Sequence, residues 1–197
     1  MKFIYAVTFF LATLGLTGCN SAATEESSKS NLPALTELQE ETSGMQALAN
    51  PAAYFQVGSM MSTKQVIVYF DAQCPHCATL WKAMEPLITE GKISAKWAPV
   101  KFLSPLSAAQ GAMLVASDNP QALMNEHEAS LFTATRGLVV DKDLLDSEIV
   151  DRIGRNNQKM IKNNQQSVPA MFIVRPSGVE KYDGLVQAES ILAWINE

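Results

Sequence analysis

Two cysteines separated by two residues, set directly behind a β-branched apolar run, constrain this chain more than any other feature. Val66, Ile67, Val68, Tyr69 and Phe70 are apolar on both faces of an extended segment, the pattern of a strand in the middle of a sheet. Asp71-Ala72-Gln73 then turns the chain, and Cys74-Pro75-His76-Cys77 opens a helix. Pro75 suits the first helical turn, where its missing N–H would have had no partner. Leu80, Met84, Leu87 and Ile88 give that helix one apolar face, and Gly91 ends it. Cys74 thus falls where unpaired backbone N–H groups and the helix dipole converge, and both favour a negative sulfur. The thiolate is the reactive form, so Cys74 is expected to be the nucleophile, with His76 adding to the same field. Cys77, one turn further in and more buried, is expected to close the disulfide.

The electronic consequence has a direction. Stabilising a thiolate stabilises the reduced dithiol and makes the disulfide a better oxidant. A pKa falling from ~8.5 to ~5.5 would contribute about 2 kcal/mol at pH 7, because only the part below 7 counts. For a two-electron couple that is roughly 45 mV. Blander readings of the same residues are weaker. Half a zinc site would need two further ligands, and the spare histidine is His127. A purely structural bridge over so short a loop removes little chain entropy. A second element, Ser167-Val168-Pro169-Ala170-Met171-Phe172, sets a proline just before a strand. A cis Val168–Pro169 bond facing the dithiol would offer the Val168 backbone to a bound polypeptide. The alternative is a trans proline opening an edge strand.

Elsewhere the pattern alternates between strands and helices. Ile93 to Val100 is a second strand, and helices are expected over Ser104–Ser117, Asn119–Phe132 and Asp141–Asn164. Ala170–Val174 and Val179–Tyr182 form a hairpin across Pro176-Ser177-Gly178, and a last helix runs from Ala188 to Asn196. The result is an α/β layered plan. His127 reads as a solvated helix position. Asp141, Asp143 and Asp146 read as a helix start rather than a metal cluster. Trp81, Trp97 and Trp194 read as packing residues. Fifteen basic against twenty acidic residues, a net charge of −5, argue against nucleic acid as a partner. No glycine-rich phosphate loop is present, and neither a cofactor nor a metal is expected.

At the N-terminus, Lys2 precedes an uncharged, mostly apolar run from Phe3 to Leu16. At 1.5 Å per residue this spans roughly 21 Å, short of the ~30 Å hydrocarbon core, so it reads as a secretion signal rather than a membrane span. Leu16-Thr17-Gly18-Cys19 resembles the bacterial lipoprotein box, which implies cleavage before Cys19, its acylation and membrane attachment. Asn20 in the next position implies the outer membrane rather than the inner, facing an oxidising periplasm. Residues 20–32 read as a flexible tether. Leu35, Leu38, Met45 and Leu48 suggest an amphipathic helix between Pro33 and Asn50, interrupted near Gly44.

From Lys64 onward the chain resembles the thioredoxin-fold thiol–disulfide oxidoreductases of bacterial envelopes, the Dsb type. Cys74-Pro75-His76-Cys77 and Val168-Pro169-Ala170-Met171-Phe172 look like the active site and cis-proline loop of the DsbA branch. Asp71, the run Gly91-Lys92-Ile93 to Pro99-Val100, and Phe102-Leu103-Ser104-Pro105 look like the DsbG and DsbC branch. The resemblance implies a thioredoxin fold with a helical insertion, at about 104–165, between a βαβ half and a C-terminal ββα half. It also implies Cys74 as nucleophile, Cys77 as resolving cysteine, a redox-active Cys74–Cys77 disulfide, Pro169 in cis, and Pro75, His76 and Asp71 as tuning residues. The expected organisation is a signal at 1–18, a lipidated tether at 19–32, a helical lead-in at 33–60 and a catalytic domain at 61–197.

Two features depart from the family pattern. The strand before the dithiol, Val66 to Phe70, lacks the buried acid of DsbA-type proteins, so proton transfer to Cys77 needs another route, such as water or Asp71. The stretch from Asn20 to Met60 is too short for the dimerisation domain of DsbC and DsbG, so a monomer is expected. Expected partners are protein thiols or disulfides and a recycling redox protein, with the direction of exchange open. A tethered non-catalytic adaptor or metal-handling lipoprotein is the alternative.

Overall fold

The computed structural model describes residues 44–197. The apolar N-terminal segment, Cys19, the tether and the first part of the lead-in helix lie outside the described residues. Five strands form one sheet: β1 (Phe55–Val57), β2 (Gln65–Asp71), β3 (Ser94–Val100), β4 (Ala170–Arg175) and β5 (Gly178–Lys181). Their order is β1-β3-β2-β4-β5. β2 and β3 are parallel and joined by helix α1 (Pro75–Thr89), whereas β4 runs antiparallel to β2 and β5 to β4. The apolar run at 66–70 therefore lies between two neighbours, with every residue from Val66 to Asp71 buried. That burial is why it carries no polar alternation.

The pleat sends its side chains to two cores. Val66, Val68 and Phe70 join Trp97 of β3, Met171 of β4, and Leu80, Trp81 and Met84 of α1. Ile191 of the C-terminal helix α5 (Ala188–Ile195) closes the same core. Ile67 and Tyr69 point the other way, onto Val100, Phe172, Leu48 and Met160. Edge-to-face contacts link Phe55, Phe70, Trp97 and Trp81 beneath the start of α1, with centroids 5.1–5.8 Å apart. Such pairs add about 0.5–1.5 kcal/mol each beyond area burial. Trp194 packs instead against Tyr182, with ring centroids 4.9 Å apart, and all three tryptophans are buried at 7% exposure or less.

Between β3 and β4 the chain forms α2 (Pro105–Ala116), α3 (Pro120–Ser130), a 3-10 turn (Lys142–Leu144) and α4 (Ser147–Lys162). Ser104 and Asn119 cap the first two through their side-chain oxygens. Gly111 lets α2 approach the sheet, since a Cβ there would meet Pro99 Cβ at 2.7 Å.

Three expectations need correction. The single helix over Asp141–Asn164 is broken: Asp141 caps the 3-10 turn, Leu145 is extended, and Asp146 starts α4 by accepting from the N–H groups of Glu148 and Ile149. Short acidic side chains compete locally with helix continuation, and here that competition wins. The lead-in at 33–60 is not wholly helical, because residues 44–48 are helical but Phe55–Val57 extends the sheet beside β3. Asn156 of α4 clamps that segment: its Oδ1 accepts from Ala52 N–H at 2.7 Å, and its Nδ2 donates to Ala53 and Pro99 carbonyls. The third concerns His127, which is fully buried rather than solvated.

Candidate active site

Cys74 occupies the N-cap of α1, in an extended conformation (φ −96°, ψ 114°), with Pro75 following at the first helical position. Its N–H donates to Asp71 O at 2.9 Å, and its carbonyl accepts from the N–H groups of Cys77 and Ala78, which starts the helix. Both sulfurs are thiols, and both residues are buried, while Pro75 and His76 are exposed. No side chain closes a conventional capping hydrogen bond on α1.

The two thiols titrate in opposite directions. The hydrogen bond from Cys77 is the largest influence on Cys74 and lowers its pKa to about 6, against a desolvation penalty. The backbone N–H groups of Cys77 and His76, and the nearby His76 side chain, pull the same way. Burial, and then the Cys74 thiolate beside it, hold Cys77 well above the usual thiol range. Near pH 7 the pair therefore carries one proton, on Cys77. A pKa about one unit below 7 stabilises the reduced dithiol by about 1.4 kcal/mol. That makes the disulfide roughly 30 mV more oxidising, somewhat less than the sequence suggested.

The Val168–Pro169 peptide is cis, and both residues are half-buried. As a thiol, Cys74 donates to Val168 O at 3.7 Å across 94 residues of sequence, so the proline loop lies against the dithiol. Asp71 is buried at the end of β2. Its carboxyl accepts from the Gln73, Phe102 and Leu103 N–H groups and from the Ser107 hydroxyl, at 2.6–3.0 Å. Those bonds tie the turn before Cys74 to the β3–α2 connection.

A second set of contacts, from the insertion, went unread in the sequence. His127 of α3 bonds Ala72 O through Nε2 at 2.6 Å and accepts from Leu138 N–H at Nδ1. The acceptor role of Nδ1 places the single proton on Nε2, and burial lowers the imidazole pKa, in keeping with a neutral ring. Gln73 Nε2 donates to Gln110 Oε1 and to Arg136 O, both at 2.7 Å, and Gln110 Nε2 donates to Arg136 O and Leu138 O. Gly137, at φ +93°, is required here: a Cβ would sit 2.6 Å from His127 Nδ1. Glu128, beside His127, is also buried. One signal did exist, since Met124, His127, Glu128 and Leu131 share a helix face and apolar residues bracket the two ionisable ones.

A parallel strand–helix–strand unit, a dithiol at the helix tip and a cis-proline loop facing it decide the architecture. This is the thioredoxin fold of the Dsb-type proteins. The catalytic domain of Proteus mirabilis ScsC superposes with a TM-score of 0.60 at 18% identity, over 80% of this chain and 96% of that one. In sequence, the chain is 22% identical over 141 residues to the thiol:disulfide interchange protein DsbG of Pseudomonas aeruginosa, covering 71% of this chain and 54% of that protein. It is 32% identical to Escherichia coli DsbG over 65 residues, which is 33% of this chain and 26% of that protein. The chain thus spans about half the length, or less, of the curated relatives it matches. No family model matches it. Between β3 and β4, helices α2 and α3 supply Gln110 and His127 to the turn just before Cys74.

Proposed function

We propose that the protein is a periplasmic thiol–disulfide oxidoreductase, with Cys74 as the nucleophile and Cys77 as the resolving thiol. The observation that carries this reading is the geometry of the dithiol: Cys74 at the N-cap of α1 with its sulfur against Val168 O of the proline loop, and the free Cys77 thiol buried behind it. The Cys74 thiolate attacks one sulfur of a partner disulfide, forming a mixed disulfide and expelling the partner's other sulfur as a thiolate. Cys77 then gives up its proton and attacks Cys74 Sγ, closing the Cys74–Cys77 bond and releasing the partner's second thiol. Two electrons pass to the partner. Run backwards, the same steps donate a disulfide, which the lowered pKa of Cys74 favours. The cis-proline loop at Val168 and Pro169 supports a polypeptide substrate, because it offers main-chain groups beside the reacting sulfur. Pro75, His76 and Asp71 tune and hold the site. The similarity to DsbG supports protein thiols or disulfides as substrates, and a catalytic cycle then needs a redox protein to recycle the dithiol. We extend the reading to anchoring at the outer membrane through a lipidated Cys19, on the strength of Leu16-Thr17-Gly18-Cys19 followed by Asn20.

The test is reduction of insulin by dithiothreitol together with trapping in the native envelope. The wild-type chain should accelerate insulin reduction and Cys74→Ser should fall to the uncatalysed rate. Cys77→Ala should accumulate partner proteins as mixed disulfides on Cys74. Equal rates for wild type and Cys74→Ser would instead favour a non-catalytic module.

A further inference from the structure

Around the dithiol the chain drops its acids. Four segments meet there. One is its own, 72–84, and a second is 100–117, whose Phe102 and Leu103 are tied to Asp71. The third, 129–140, is tied to Gln73 through Arg136, and the fourth, 163–179, brings Val168 against the sulfur. None of the four contains an aspartate or glutamate, in a chain with twenty acidic residues and a net charge of −5. They contribute His76, Lys82, Lys101 and Arg136, all exposed. Of the acids outside them, Asp71 is buried under four hydrogen bonds, and Asp183 is paired with Lys181 at 3.0 Å. Glu85 and Glu128 share a hollow with Lys82.

Arg136 differs from the other cations in how it is held. Its φ of +54° is a left-handed conformation that costs an L side chain free energy and persists only where the surroundings enforce it. Its N–H donates to Thr133 O at 3.1 Å, and its carbonyl accepts from Gln73 Nε2 and Gln110 Nε2 at 2.7 and 2.8 Å. Gln73 directly precedes Cys74. One Cα–Cα step and one glutamine side chain therefore keep the Arg136 carbonyl within roughly 11 Å of the Cys74 Cα. Among the described residues the guanidinium forms no ion pair. A cation serving only solubility would need neither a strained backbone nor two glutamines to fix it.

We propose that Arg136 is a specificity-determining residue that selects client segments carrying a carboxylate within about four residues of the reacting cysteine. This rests on the oxidoreductase reading above and concerns which disulfides that chemistry takes. An extended polypeptide advances about 3.4 Å per residue, so the residues two to four places from a cysteine joined to Cys74 pass Arg136. A carboxylate there meets the guanidinium on a face without competing acids. The pair is exposed, so it acts on encounter and on the life of the mixed disulfide rather than on the sulfur chemistry. Its effect is correspondingly small, roughly threefold, and is screened by salt.

The experiment offers the reduced full chain two alanine-rich peptides, each as its symmetrical disulfide. One has a glutamate three residues to either side of its single cysteine; the other has glutamine at both places. The Cys74 thiolate attacks one peptide sulfur, and the other peptide leaves as a thiolate. Cys77 gives up its proton and closes onto Cys74, releasing the second peptide, so two peptide thiols are counted per Cys74–Cys77 bond formed. At about 0.01 M salt the wild type should favour the glutamate peptide over its twin about threefold more than Arg136→Gln does, and at about 1 M the difference should vanish. Arg136→Lys should keep most of the preference. Arg136→Gly suits the same left-handed backbone and should lose it, which keeps the test decisive if the glutamine variant is unstable. Equal ratios in wild type, Arg136→Gln and Arg136→Gly, or a preference indifferent to salt, would overturn the proposal and leave the dithiol chemistry standing. Failure of the reduced wild type to release thiol from either peptide would overturn the oxidoreductase reading itself.

Discussion

The N-termini of α1 and α4 meet the same physical problem and answer it differently. Asp146 at the start of α4 accepts from two backbone N–H groups, at 2.8 and 3.3 Å, satisfying donors that the helix cannot. At the start of α1 the equivalent position holds Cys74, whose sulfur makes no such cap. The field that a carboxylate neutralises at α4 is left at α1 to act on a thiol. Forgoing a cap costs about 1 kcal/mol. The missing support comes from elsewhere in the molecule: Asp71 gathers the turn before Cys74, and His127 holds Ala72 O. An ordinary helix end is stabilised locally, whereas a reactive one is held by its surroundings.

Making the two helix ends alike should have the largest effect. Cys74→Asp should abolish catalysed insulin reduction while raising resistance to urea by about 1 kcal/mol, because an oxygen now caps α1. A smaller effect follows from removing the outside support. His127→Leu leaves Ala72 O and Leu138 N–H buried without partners, and should cost about 2–4 kcal/mol in urea unfolding. It should also soften the acid limb of stability. The folded protein holds His127 neutral while the unfolded chain takes up a proton near 6.5, so wild-type stability falls as the pH drops below that value. The variant lacks that contribution.

The smallest effect is expected at α4. Asp146→Ala should cost about 1 kcal/mol and leave Cys74 untouched. The rate of alkylation by iodoacetamide should fall tenfold per pH unit below about pH 6 and level off above it, identically in this variant and the wild type. A shifted midpoint would show that the two helix ends are not independent.

Much of this was legible in the chain because it is local. The run Val66–Phe70 had to be a central strand, since apolar side chains on both faces need cover on both faces. Cys74-Pro75 marked a helix start, since Pro75 and an extended N-cap are tolerated together only there. Asp146 was less legible: it belonged to a run of acids read as one helix start, but its side chain captures two N–H groups and starts α4 apart from the preceding 3-10 turn. β1 was missed because three residues carry too short a pattern to separate from a loop.

His127 and Glu128 show where sequence reasoning stops. Their hydrophilic neighbours Asn125 and Glu126 suggest a solvated face, and intrinsic preference agrees. Burial of both depends on how α3 packs against the start of α1, a contact between segments some fifty residues apart. The chain by itself determined the chemistry on offer: a sulfur at a helix tip, a second one turn behind it, and a proline ahead of a strand. Only the tertiary structure decided which groups surround that sulfur, because desolvation and charge coupling depend on distance in space, which residue order does not encode.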